Sequence, residues 1–229
     1  MKLPSINVSM NVSVRAELTG AQKAGGTPWM RAARGIGQGL ILVLTRMEVV
    51  GLENLPMTGS VLLAANHTHN IDGPLLFGLV PRPTAFFVKA EAFIGPIKPF
   101  LLHIGQIPIR RGTVERAPLA AALDTLAAGG SVGIFPEGSR GRGDVAKVEH
   151  GIAYLAVRSG APVVPIACAG TNEVLQRRSL RRPKVRVLIG PPVQVPAGAA
   201  SRQAVADAAE QIREALAKLV MEIGSVDRL

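Results

Sequence analysis

His67 and Asp72 stand five residues apart, just after the apolar run Val61-Leu62-Leu63-Ala64-Ala65. Neutral imidazole is the usual protein base for a hydroxyl, because its pKa lies near working pH. A carboxylate on the far ring nitrogen fixes the tautomer and stabilises the imidazolium that forms. Residues five apart on a straight helix do not face each other. The pair therefore needs a strand, a turn and a helix start, and Asp72-Gly73-Pro74 offers that start. A second group, Phe135-Pro136-Glu137-Gly138-Ser139-Arg140, follows another apolar run. Gly138 permits a sharp turn with exposed backbone N–H groups, to which Ser139 and Arg140 add donors. Such a turn can hold an anionic oxygen, and Glu137 can accept from a substrate hydroxyl or position an arginine. A third group, Gly105-Gln106-Ile107-Pro108-Ile109-Arg110-Arg111, delivers two arginines to opposite faces of a short strand. Arginine is the natural bidentate ligand for phosphate. A base beside cations suits removal of a proton from a hydroxyl on a phosphate-bearing molecule.

Each group also has a plainer reading. Asp72 can serve only as a helix N-cap, with His67 a hydrogen-bonded loop residue. Arg110 and Arg111 can be a solvated edge, and Glu137 with Arg140 a surface ion pair. His67, His69 and Asp72 also carry His-x-His metal-ligand spacing. Only His103 and His150 remain beyond them, and no clustered Asp or Cys completes a second ligand set, so no metal is expected.

Short apolar runs must position these groups. They are Val61–Ala65, Ala85–Val88, Gln106–Ile109, Ser131–Phe135, Val163–Ala167 and Val185–Ile189, several bounded by Gly or Pro. Helical stretches lie between them: Glu115 to Ala128, stopped by Gly129-Gly130, then Gly151 to Arg158, and Ser201 to about Ile223. Val205, Ala209, Ile212, Leu216 and Leu219 recur near the helical period. Strands alternating with helices predict an α/β fold, a single domain with a central mixed, mostly buried sheet flanked by helices. From Pro28 to about Arg46 the chain is basic first and apolar later, and predicts an N-terminal helix too short to span a bilayer. It fits the membrane interface, with Trp29 at headgroup depth and Arg31 and Arg34 near lipid phosphates. Packing on the core fits equally, and Gly35, Gly37 and Gly39 weaken any helix here. Residues 1–27 read as a loosely ordered arm without the apolar core of a signal peptide. Residues 28–229 read as the domain proper.

The composition narrows the partners. Hydrophobic residues make up 48% of 229, enough for a core without staples. Cys168 is the one cysteine, so no intrachain disulfide forms, and a reducing, intracellular setting is expected. Within Val163-Val164-Pro165-Ile166-Ala167-Cys168 it reads as a core residue, not a nucleophile. The formal charge of +10 favours an anionic partner. Aromatic residues are only 3%, too few for the stacking that single-stranded nucleic acids need, so no nucleic acid is expected. A membrane surface or a phosphorylated substrate is the better match.

Taken together and in order, the blocks resemble the glycerolipid acyltransferases of the 1-acylglycerol-3-phosphate type. That family's first block is Asn-His-x-x-x-x-Asp, matched by Asn66, His67 and Asp72. Its second is a Gly-x-Ile-Phe-Ile-x-Arg-like strand, matched by Gly105 to Arg111. Its third is Phe-Pro-Glu-Gly-Thr-Arg, matched by Phe135 to Arg140 with Ser139 for Thr. Its fourth is an apolar Val-Pro-Ile strand, matched by Val164-Pro165-Ile166. The similarity runs from about Val49 to Pro192. It implies transfer of a fatty acyl group from acyl-CoA or acyl-carrier protein to the hydroxyl of lysophosphatidic acid, giving phosphatidic acid. His67 and Asp72 would be the catalytic pair. Asn66, Arg111, Glu137, Gly138, Ser139 and Arg140 would bind substrate, with no metal or prosthetic group. The setting would be the cytoplasmic face of the cell membrane, with the protein peripheral on an anionic surface. Pro108, Arg110 and His150 depart from the family pattern, which leaves open a different lysolipid or glycolipid acceptor. A catalytically idle lipid-binding protein on the same fold is the remaining alternative.

Overall fold

The computed structural model describes residues 28–110, 116–136, 150–174 and 182–226. The expected N-terminal arm, residues 1–27, lies outside them. Seven strands form one sheet: β1 (Arg46–Val50), β2 (Val61–Ala65), β3 (Thr84–Lys89), β4 (Ile107–Ile109), β5 (Ser131–Ile134), β6 (Val163–Ala169) and β7 (Lys184–Ile189). Their order across the sheet is β1-β7-β6-β2-β5-β3-β4. Every neighbouring pair is parallel except β6 with β7, so the sheet is mixed, as the sequence predicts. Around it stand α1 (Pro28–Leu44), α2 (Asp72–Leu79), α3 (Ile97–His103), α4 (Arg116–Ala127), α5 (His150–Ser159) and α6 (Arg202–Val226).

The central strands are continuous apolar runs because both their faces are covered. All five residues of β2 are buried. Its side chains alternate between two cores. Leu62 and Ala64 join Val132, Leu155, Ile212 and Leu216 beneath α4, α5 and α6. Val61, Leu63 and Ala65 join Leu75, Leu76, Val164 and Ile166 beneath α2, with Ile41 of α1 packed against them. The edge strand β1 instead alternates, with Met47 and Val49 inward and Glu48 outward, where it pairs with Lys184 and Arg186 of β7.

Helix α1 forms despite its glycines and crosses α2 at close range, where Gly78 of α2 carries no side chain. A Cβ on Gly78 would lie 2.9 Å from Ile41 Cδ1 and 3.2 Å from the Gly37 carbonyl carbon. The expectation that Arg34 reaches lipid phosphate is overturned. Arg34 is fully buried against α2, donates Nη2–H to the Val80 carbonyl, and burial lowers its pKa from the ordinary guanidinium value. Trp29 and Arg31 do stay exposed. Among the described residues no helix is long and apolar enough to cross a membrane. Two elements were not expected: β1, which begins where the predicted N-terminal helix was to end, and α3.

Candidate active site

The site lies where three adjacent parallel strands, β6, β2 and β5, end together. Open α/β sheets bind ligands at such carboxyl ends. His67 follows β2, Phe135 follows β5, and the turn at Gly170 follows β6.

His67 Nδ1 lies 3.1 Å from Asp72 Oδ2. The same oxygen accepts the backbone N–H of Thr68 at 2.8 Å and of His69 at 2.7 Å. Asp72 is therefore not an N-cap. It is the first residue of α2, and its carboxylate turns back over the loop that carries His67. Fully buried, it would be pushed up by desolvation. Polar neighbours outweigh burial and hold it below the usual carboxylate range: the hydrogen bonds to Oδ2 from the His67 ring and from the His69 and Thr68 N–H groups, helped by the nearby Thr171 hydroxyl, while Oδ1 has no hydrogen-bond partner among the described residues. An ionised Asp72 keeps the proton of neutral His67 on Nδ1. That leaves Nε2 with its lone pair, the form a general base needs.

The other side of the His67 ring is set by an aromatic chain. The Phe135 ring lies 4.5 Å from it, centroid to centroid and tilted by 32°, and Phe86 stacks on Phe135 at 6.0 Å. Phe86 occupies the space a side chain at position 133 would take. A Cβ on Gly133 would fall 2.2 Å from the Phe86 ring. From the third strand comes Thr171, fully buried, its hydroxyl 3.0 Å from that of Thr68. Gly170 makes the turn that places it, at φ 79°, where a Cβ would lie 2.1 Å from the Lys184 carbonyl oxygen.

Asn66 has a different task from the substrate contact expected of it. It is buried, its Nδ2–H donates to the Cys168 carbonyl at 3.1 Å, and its Oδ1 accepts the Cys168 N–H at 2.7 Å. The side chain continues the β2–β6 ladder one residue past the strand and fixes where His67 begins. Cys168 is buried in the core, and burial, then the Asp72 charge, push its thiol pKa up, so it is no nucleophile.

Arg111, Glu137, Gly138, Ser139 and Arg140 lie outside the described residues. Their described neighbours are Arg110, exposed at the end of β4, and Pro136, buried next to Phe135. Among the described residues no three His, Cys, Asp or Glu side chains converge on a metal position. Sequence reasoning missed Thr171, Phe86, Gly133 and the packing role of Phe135. Phe135 was visible as part of a motif, whereas Thr171 meets Asp72 only through the strand order.

The geometry thus places a buried His–carboxylate pair at the carboxyl end of a mixed α/β sheet. The acyltransferase family model matches residues 46–169, and the chain belongs to that family. It is 32% identical over 134 residues to a 1-acyl-sn-glycerol-3-phosphate acyltransferase of Borreliella burgdorferi, covering 56% of this chain and 52% of that protein. With the enzyme of that name from Bacillus subtilis it shares 29% over 149 residues, covering 64% and 73%. For several such relatives the match spans about half of their own length. The fold is similar to that of the crystallised 1-acyl-sn-glycerophosphate acyltransferase of Thermotoga maritima, with a TM-score of 0.66 at 24% identity over 93% of this chain and 89% of that one.

Proposed function

We propose that the protein transfers a fatty acyl group from a thioester, acyl-CoA or acyl-carrier protein, to the hydroxyl of lysophosphatidic acid. The product is phosphatidic acid. The observation that carries this reading is the buried His67–Asp72 pair, at 3.1 Å, in a chain of the acyltransferase family. The names of its relatives support the acceptor.

The acceptor oxygen attacks the thioester carbonyl carbon while His67 Nε2 takes its proton. Asp72 holds Nδ1–H and stabilises the imidazolium. The tetrahedral intermediate collapses with loss of the C–S bond, and the departing sulfur takes the proton back from His67. An ester and a free thiol leave, and the base is restored. The step needs no metal, prosthetic group or acyl-enzyme. Arg111 and the segment from Glu137 to Arg140 are assigned to the acceptor phosphate, whose charge suits a chain of +10. The enzyme works as a peripheral protein on an anionic membrane surface, since its product stays in the bilayer, and its thioester donors assign it to the cytoplasmic side.

The test is thiol release from a long-chain acyl-CoA and from the matching acyl-carrier protein, with and without lysophosphatidic acid. Wild type should show release that depends on acceptor, and His67→Ala should abolish it. Release without acceptor would mean thioester hydrolysis. Release only with another lysolipid would move the acceptor, and no release on either donor would leave a lipid-binding protein.

A further inference from the structure

A globular helix normally buries its apolar side. Two helices on one side of this sheet do not. Among the described side chains of α1, Met30 and Arg34 are buried and Ile41 is half-buried. Trp29, Ile36 and Val43 follow each other at seven-residue intervals, so they form one stripe along a different face of the helix. They are exposed by 67%, 67% and 70%. In α3 no residue is buried. Ile97, Phe100 and Leu102 are exposed there, and Ile94 just before the helix is exposed by 64%. The two segments meet: the Trp29 ring packs edge-on against His103 at 6.4 Å, and Met30 Cε lies 3.6 Å from where a Cβ on Gly105 would be. Neighbouring exposed apolar residues on this scale mark a docking site.

Charge selects the occupant. Residues 28–47 and 92–114 contain no Asp or Glu, while Arg31 and Lys98 stand exposed among the apolar residues. Apolar segments that carry cations and no acid of their own match an anionic lipid leaflet, which supplies acyl chains and phosphates together.

We infer that α3 and the segment before it, Ile94 to Leu102, form a second lipid-inserting element that docks beside α1 on an anionic bilayer. This rests on the acyl-transfer reading for its purpose and not for its geometry. α1 packs on α2, whose first residue is Asp72, so docking through α1 and its neighbour α3 holds the site at the leaflet from which a lysolipid enters.

Trp29 is the sole tryptophan and reports the docking directly. Vesicles of equal phosphatidylcholine and phosphatidylglycerol, with and without brominated acyl chains, serve as the probe. The variant is Ile97→Glu with Phe100→Glu; both residues are exposed, so its thermal unfolding should match wild type. Wild-type Trp29 should shift to the blue and be quenched by the brominated chains. The variant should bind these vesicles roughly tenfold more weakly or worse. It should keep wild-type turnover on a short-chain acceptor held below its micelle concentration. Wild-type vesicle affinity in the variant would overturn the inference, as would Trp29 that stays unquenched on bound vesicles. Equal loss of turnover on the monomeric acceptor would also overturn it, by assigning the segment to an acyl-chain pocket. So would vesicle binding that survives while binding of an acidic carrier protein is lost. Quenching that behaves as expected in a protein with no transfer on any acceptor would sink the acyl-transfer reading and leave the docking surface standing.

Discussion

The two sides of the sheet are built from the same kinds of residue and end in opposite states. Under α4, α5 and α6, large apolar side chains such as Ile152, Leu155, Ile212 and Leu216 are fully buried. Across the sheet, α2 is seated on the core, but α1 and α3 leave Trp29, Ile36, Val43, Ile97 and Phe100 in solvent. The closed side has satisfied its hydrophobic requirement by folding. The open side keeps large apolar side chains exposed. The site sits at the strand ends between the two sides, rigid where it touches the sheet and adjacent to the side that is still open.

The largest expected effects come from the site itself. His67→Ala or Asp72→Asn should lower turnover by roughly 10²–10⁴-fold, the usual contribution of a positioned base and of its tautomer-fixing partner. Steady-state assay of both variants checks this. The double variant should be little worse than either single one, because the two residues act as a unit. A double variant with the product of the two losses would mean that Asp72 has a separate task.

The contrast between the sides should appear next, in stability. Leu216→Ala on the closed side should cost about 2–5 kcal/mol, the transfer term plus the cavity left behind. Ile36→Ala on the open side should change stability by no more than about 0.5 kcal/mol. Urea unfolding of both variants in the absence of lipid measures the difference. Equal costs would mean that the α1 stripe is covered in solution, and the comparison would collapse.

Gly133→Ala ranks third. The new Cβ lands on the Phe86 ring, which must move, and Phe135 and the His67 face move with it. Overpacking of this kind costs about 1–3 kcal/mol. Turnover should fall along with stability, and Gly133→Ala with Phe86→Leu should recover part of both. If stability falls while turnover holds, the aromatic chain is packing alone.

The central strands were legible in the sequence because burial on both faces leaves an unbroken apolar run. Val61–Ala65 is found with its expected bounds, and the ends of β5, β6 and β7 shift only slightly. The helix in α6 was legible through its period. β1 was not: Arg46 and Glu48 point outward from an edge strand, and no turn residue separates it from α1. α3 was hidden by Pro96 and Pro99. The His67–Asp72 pair was readable because both partners are local. Arg34 was misread because a helical period says which residues share a face, not which face turns inward. Asn66 to Cys168 and Thr68 to Thr171 span 102 and 103 residues, and only the order of the strands brings those pairs together.

Thr171 gives the smallest effect and the sharpest reading of how the site is held. Its hydroxyl, 3.0 Å from that of Thr68, lies close enough to Asp72 to help hold the carboxylate below its usual range against the opposing effect of burial. A depressed carboxylate stabilises the fold at every pH above its unfolded value, and that contribution is lost as pH falls through the lower, folded value. Thr171→Val keeps the shape and removes the donor, so the folded pKa of Asp72 moves up. Acid unfolding should then begin at higher pH than in wild type. At neutral pH the cost should be about 1 kcal/mol, that of one buried hydrogen bond. Turnover near neutrality should fall only severalfold, because His67 and the two backbone N–H groups still grip the same Asp72 oxygen. Melting temperature against pH for the two proteins decides it. Parallel curves would remove Thr171 from the electrostatics of the pair and leave the turn after β6 a purely mechanical support.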